Sequence, residues 1–120
     1  MITSLENLRD VLRQFADDRD WEQFHSPKNL AMALGVEVAE LAEHFQWLTQ
    51  HESFNLPPDR KTSVSEELAD ALIYLVRLAD RLDIDLLAAA ENKVAANARK
   101  YPVNESRGRS ERPDTTGEKS

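Results

Sequence analysis

Four acidic residues fall into two pairs of equal spacing. Glu37 and Glu40 stand three apart in LAMALGVEVAELAEHFQWL, residues 30–48, and Glu67 and Asp70 stand three apart in SEELADALIYLVRLADRL, residues 65–82. At about 100° per residue, Leu30, Leu34, Val38, Leu41, Phe45 and Leu48 form one arc, with Glu37 at its edge and Glu40 about 60° further round. Ala33, Val36 and Trp47 close the other side of the pair. In the second stretch Leu68, Ala71, Leu72, Leu75, Leu78, Ala79 and Leu82 lie on an arc that begins beside Glu67. A carboxylate with apolar flanks is paired, protonated or bound to a metal, because leaving it buried and alone costs several kcal/mol.

One Glu-x-x-Glu on a helix is ordinarily a solvated face. Two pairs with the same offset from a leucine arc are a stronger signal. If the helices pack through those arcs, the four carboxylates converge at the rim of the contact. An all-oxygen donor set suits a hard divalent cation, Mg²⁺ or Mn²⁺, better than zinc or copper. The rival metal chemistry, a carboxylate-bridged di-iron bundle, needs Glu-x-x-His motifs. None is present, since His44 follows Glu40 by four residues and reads as a rim or polar packing residue.

The elements that must position these acids are helical. Residues 3–19 read as an amphipathic helix opened by a Thr3 and Glu6 capping box, with Leu5, Leu8, Val11, Leu12 and Phe15 on one face. Trp21, Phe24 and His25 crowd the connection that follows, a pattern that more often plugs a helix entry than binds a ligand. Ser26 and Pro27 then start a second helix, as hydroxyl cap and first-turn proline, which the pattern carries to about Gln50. Pro57 and Pro58 interrupt, and a third helix starts early, near Asp59, and runs to Arg81 or Leu82. Asp83 and Asp85 cap a fourth, alanine-rich helix that carries Lys93, Asn97 and Lys100 on one face. Pro102 closes the folded part. Residues 103–120 have one apolar side chain among Ser, Gly, Pro and charge, and are expected to be disordered. No strand pattern and no solenoid-length repeat occurs.

The 120 residues make one domain, expected at residues 1–102, with an all-α bundle and a single core. A helix as apolar around its circumference as residues 30–48 needs more cover than the other helices of one chain supply, which points to an oligomer. The formal net charge of −7 and pI near 4.9 argue against nucleic-acid binding. A phosphorylated small molecule stays admissible where a metal supplies positive charge. With no cysteine there is neither disulfide nor thiolate chemistry. The N-terminal segment lacks a basic region followed by an apolar core, and no run approaches a membrane span, so a soluble cytoplasmic protein is expected.

The runs WEQFHSPKNLAMALGVEVAELAEHFQW, EELADALIYLV and KVAANARKYP resemble the MazG-like nucleotide pyrophosphohydrolases, in the small single-domain branch that includes dCTP pyrophosphatases. The resemblance spans about residues 5–103. It implies an all-α bundle assembled as a homodimer or homotetramer, with Glu37, Glu40, Glu67 and Asp70 as Mg²⁺ ligands at the catalytic centre. It further implies base and sugar recognition by Trp21, His25, Trp47 and Tyr74, and phosphate contact by Lys93, Asn97 and Lys100. Leu12 departs from the pattern, standing where some relatives have a histidine near the substrate. The implied reaction is hydrolysis of a nucleoside triphosphate to monophosphate and pyrophosphate, on dCTP or modified deoxynucleotides, in precursor-pool sanitation. The alternative from another class is a non-catalytic helical oligomerisation module holding a structural divalent cation.

Overall fold

The computed structural model describes residues 1–111, and all of its regular structure is helical. Two compact units divide at Ile84. The first contains α1 (Leu5–Asp18), a 3₁₀ turn (Glu22–Phe24), α2 (Pro27–Glu43), the short α3 (Gln50–Ser53) and α4 (Pro58–Arg81). The second contains α5 (Leu86–Lys100) and α6 (Val103–Ser106). Val103–Ser106 therefore make one helical turn where disorder is expected from composition. Residues 112–120, the rest of that expected tail, lie outside the described residues.

Local capping sets most boundaries. Ser4, rather than Thr3, caps α1: its hydroxyl accepts from the Asn7 amide at 3.0 Å, while Thr3 donates its amide to Asn7 Oδ1 at 3.2 Å. The cap therefore sits one residue later than expected, and no reciprocal box forms, because the Asn7 side chain accepts from the amide of Thr3, before the cap, and not from that of Ser4. Ser26 and Pro27 start α2 as the sequence predicts, with Ser26 Oγ accepting from Asn29 at 3.1 Å. The end of α2 differs. It stops at Glu43 instead of Gln50 and passes into turns over residues 44–47, and Thr49, in extended backbone, forms a capping box with Glu52 that opens α3, so the helix cannot run on to Gln50. A residue committed to an N-cap cannot also lie inside a preceding helix. The early start of the helix after the prolines is as expected, at Pro58.

Both α1 and α4 close with an aspartate in the left-handed region, Asp20 and Asp83, each with φ of 55°. The amide two residues beyond the C-cap of each reaches back to a helix carbonyl, Trp21 to Ala16 and Ile84 to Ala79, both at 2.9 Å. This is the six-to-one bond of a Schellman turn. Asp83 therefore terminates α4, and Asp85 alone caps α5, accepting from Ala88 at 3.0 Å.

In the first unit α4 packs mainly on α2 and to a lesser extent on α1. Leu8, Ala16, Leu30, Val64, Val76 and Ala79 are its buried apolar side chains. Arg60, near the start of α4, donates to the His44 carbonyl at 3.1 Å and ties the end of α2 to it. The leucine arcs close on each other only in part: Leu30 and Ala79 are buried, whereas Leu68, Leu72 and Leu75 of α4 and Val38 of α2 remain exposed, as does Val36 on the other side of the acid pair.

Candidate functional site

The acid-bearing edge of α4 is what meets α2. Oxygens of Glu37, Glu40 and Glu67 all lie within 4.8 Å of one another. Glu37 Oε2 and Glu67 Oε2 are buried and have no hydrogen-bond partner among the described residues. Like charges so close, with lone pairs unmet, resist ionisation. Desolvation, then the neighbouring Glu40 and Asp70 charges, push the Glu37 carboxyl up to about 7. Desolvation and Glu40 raise the Glu67 carboxyl likewise. A divalent cation among these oxygens would satisfy the unmet lone pairs and reverse the repulsion, so the donor set fits a hard metal ion. Asp70, one turn along from Glu67, stands outside the close trio and is exposed, yet near enough to raise both carboxyls.

Along α4, Glu67, Asp70, Tyr74, Arg77 and Arg81 recur at intervals of three and four. That spacing places them on one stripe. Tyr74 is half-buried in the middle of it. At its far end lies a charge network that the sequence reading misses. Arg77, 3 % exposed, gives Nε to His25 Nδ1 at 3.1 Å, Nη1 to Asp80 Oδ2 at 3.1 Å and Nη2 to Glu22. Arg81 pairs with the other Glu22 oxygen and donates to the His25 carbonyl at 3.0 Å. Arg13 of α1 grips Asp80 with two bonds, at 3.1 and 2.5 Å. The hydrogen bond from Arg77 is the main cause of the lowered Glu22 pKa, and that from Arg13 the main cause at Asp80. The signal available in advance was the continuation of the three-and-four spacing past Tyr74 into Arg77 and Arg81.

This network pins the segment between α1 and α2. Trp21 follows the Schellman turn directly, and its ring lies edge-on to Phe15 at 5.7 Å and to His25 at 6.0 Å. The Arg19 guanidinium covers the Phe15 ring at 3.5 Å. Trp21 is nonetheless 40 % exposed, so the cluster is a surface as well as a plug. Trp47 sits on the turn after α2 and is 87 % exposed. Of the residues proposed for the base, the structure therefore joins Trp21 with His25 and ties His25 to the α4 stripe that carries Tyr74. Lys93, Asn97 and Lys100 are exposed on α5, in the second unit. No helix of the described residues is long and apolar enough to cross a membrane.

The sequence profile of the MazG-like family matches residues 32–114, more than half of the chain. The chain belongs to the MazG-like family. This MazG-like chain is 49 % identical over 107 residues to dCTP pyrophosphatase 1 of Mus musculus, covering 88 % of the chain and 63 % of that relative. It is 47 % identical over 109 residues to dCTP pyrophosphatase 1 of Homo sapiens, covering 89 % and 64 %. The chain thus spans a little under two thirds of the length of these relatives. Among solved structures it resembles a pyrophosphatase from Archaeoglobus fulgidus DSM 4304, with a TM-score of 0.77 and 47 % identity, covering 82 % of this chain and 92 % of that one. The all-α class expected from the leucine arcs is the class observed.

Proposed function

We propose that this chain is a divalent-metal-dependent nucleoside triphosphate pyrophosphohydrolase that releases a nucleoside monophosphate and pyrophosphate. The observation that carries the reading is the convergence of Glu37, Glu40 and Glu67 from two helices with two buried oxygens unpaired. Such a trio is unfavourable unless a cation occupies it. The proposed ion is Mg²⁺, with Mn²⁺ as substitute. When bound, it neutralises phosphate charge and lowers the pKa of a water. Asp70, exposed beside the trio, or one of the glutamates would serve as general base, or Asp70 would complete the ligand set.

The α4 stripe supports a nucleotide of extended shape. At about 1.5 Å per residue, Tyr74 lies roughly 10 Å and Arg77 roughly 15 Å along the helix from Glu67. That span matches phosphates at the acids and a base at Tyr74, Trp21 and His25. An aromatic face such as Trp21, Trp47 or Tyr74 adds stacking of ~1–3 kcal/mol per base in single-strand binders. The exposed donors of Lys93, Asn97 and Lys100 are of a kind suited to phosphate oxygens. The names of the relatives support dCTP as first candidate, with modified deoxynucleotides next. The exposed apolar faces of α2 and α4 support a homodimer or homotetramer as the working assembly, and cytoplasmic pool sanitation is the role that fits this chemistry.

The test is a panel of ribo- and deoxynucleoside triphosphates incubated with the full chain and Mg²⁺, with pyrophosphate and orthophosphate assayed separately. Pyrophosphate release, fastest from dCTP, is expected. Orthophosphate as the product overturns the proposed reaction. Metal binding without turnover leaves the helical oligomerisation module with a structural cation.

A further inference from the structure

Arg77 is a buried charge on a helix that would pack more cheaply with an apolar residue there, and each of its three nitrogens has a partner. A guanidinium only donates. Because Arg77 Nε–H points at His25 Nδ1 across 3.1 Å, that nitrogen accepts with its lone pair, and the single proton of the neutral ring sits on Nε2. Protonating Nδ1 would set one N–H against another. The Nε2 atom makes no hydrogen bond among the described residues and is not one of their buried unpaired atoms, so it is not sealed from solvent and its proton is uncommitted. The backbone is held as firmly as the ring, by Arg81 Nε on the His25 carbonyl at 3.0 Å and by its own turn.

We propose that Arg77 is a positioning residue for nucleotide recognition: by occupying Nδ1 it fixes His25 as a neutral Nε2–H donor, so that this position reads an acceptor atom of the base or sugar. The inference rests on the reading of Trp21 and His25 as the base-recognition segment. A donor of fixed tautomer discriminates strongly. It favours a carbonyl oxygen or unprotonated ring nitrogen and rejects an amino group placed there, since the site would then hold two opposed donors. The charged groups that face His25 are Arg77 and Arg81 from α4 and Glu22 from the 3₁₀ turn. Asp80, and Arg13 of α1 behind it, hold Arg77 from its far side. Burial and then the Arg77 charge lower the His25 pKa, with Glu22 opposing. The tautomer and the neutral form are thus favoured by the same contact.

Long-range ¹⁵N–¹H correlation spectra of the full chain read the tautomer directly, His25 being identified by its loss in His25→Ala. An unprotonated Nδ1, a protonated Nε2 and a titration midpoint below the ordinary 6.5 are expected. Arg77→Met should mix the tautomers, move the midpoint toward 6.5, and raise KM for the preferred triphosphate about tenfold or more with kcat little changed. Arg77→Gln keeps an N–H donor without the charge, and should retain the tautomer and recover part of KM. A protonated Nδ1 in the wild-type chain overturns the positioning role, whether or not either variant folds. An unchanged KM in His25→Ala, with the tautomer as expected, instead overturns base recognition by this segment, and the role of Arg77 with it.

Discussion

Met32 and Val36 stand one turn apart on α2 and are 66 % and 56 % exposed. If α2 lies in a contact with a second copy, these side chains supply part of it. Fully burying such a side chain is worth about 1.5–3 kcal/mol, so with over half the area still open roughly 1–1.5 kcal/mol remains for each. In a two-fold contact both residues count in both protomers, about 4–6 kcal/mol together. At about 1.4 kcal/mol per tenfold, Met32→Gln with Val36→Thr should weaken association by about 10³ to 10⁴. The fold of the single chain should change by only about 0.5 kcal/mol, because the substituted atoms touch mostly solvent within it. Sedimentation equilibrium across nanomolar to micromolar concentrations measures the shift, and circular dichroism checks the helices. A double variant that associates like the wild-type chain refutes the placement of the contact. A wild-type chain that is monomeric and fully active at micromolar concentration refutes the need for one.

Glu37→Gln and Glu67→Gln should each abolish Mn²⁺ binding in a calorimetric titration and pyrophosphate release in the assay, with helicity retained; near-normal turnover at saturating Mg²⁺ would remove the acids from the metal site. Metal-free protein should be most stable in mildly acidic solution. The raised Glu37 pKa contributes stability below about 4.5 that is lost as pH rises through about 7. The lowered Glu22 and Asp80 pKa values contribute stability above their ordinary 4.5 and 3.8 that is lost as pH falls. Melting curves from pH 3 to 8 test both limbs, and Mg²⁺ should raise Tm on the neutral side only; a flat neutral limb would contradict the Glu37 assignment. Leu30→Ala should lower unfolding free energy by about 2–5 kcal/mol in urea, since Leu30 is 2 % exposed in a small core. A loss under about 1 kcal/mol would mean that the site collapses around the gap.

The helices were legible because their signals are local. The caps at Ser26 and Asp85 and the proline start of α4 depend on residues a turn apart or less, and these appear where the spacing predicts them. The misplacements have the same origin. Apolar periodicity continues through Trp47 and Leu48 and hides the boundary, although the mutual hydrogen bonds of Thr49 and Glu52, at 2.8 and 3.1 Å, start a new helix there and α2 has already ended at Glu43. Asp83 reads as a cap for the next helix, whereas its φ of 55° makes it the end of the previous one. A sequence shows that an aspartate favours a boundary, and only the backbone shows which side of it.

The site divides along a similar line. The acids were legible because each is anomalous within its own helix, and anomaly needs no knowledge of the partner. The way they meet was not. Packing through the leucine arcs was the natural expectation from amphipathicity, and it holds only in part: Leu30 of α2 and Ala79 of α4 are buried, while Leu68, Leu72 and Leu75 stay exposed although the acids face α2. Hydrophobic burial within one chain therefore accounts for only part of what brings the carboxylates together. Arg77 was invisible for the opposite reason. An arginine in an exposed helix is ordinary, and its partners His25 and Glu22 lie 52 and 55 residues away in the chain. Only once α4 is seen to carry the acids at one end of a stripe and, at the other, the buried Arg77 that holds His25 does the intervening Tyr74 fall between two parts of one site. The length of that stripe is what extends the proposal from a metal ion held by the trio to a nucleotide lying along α4.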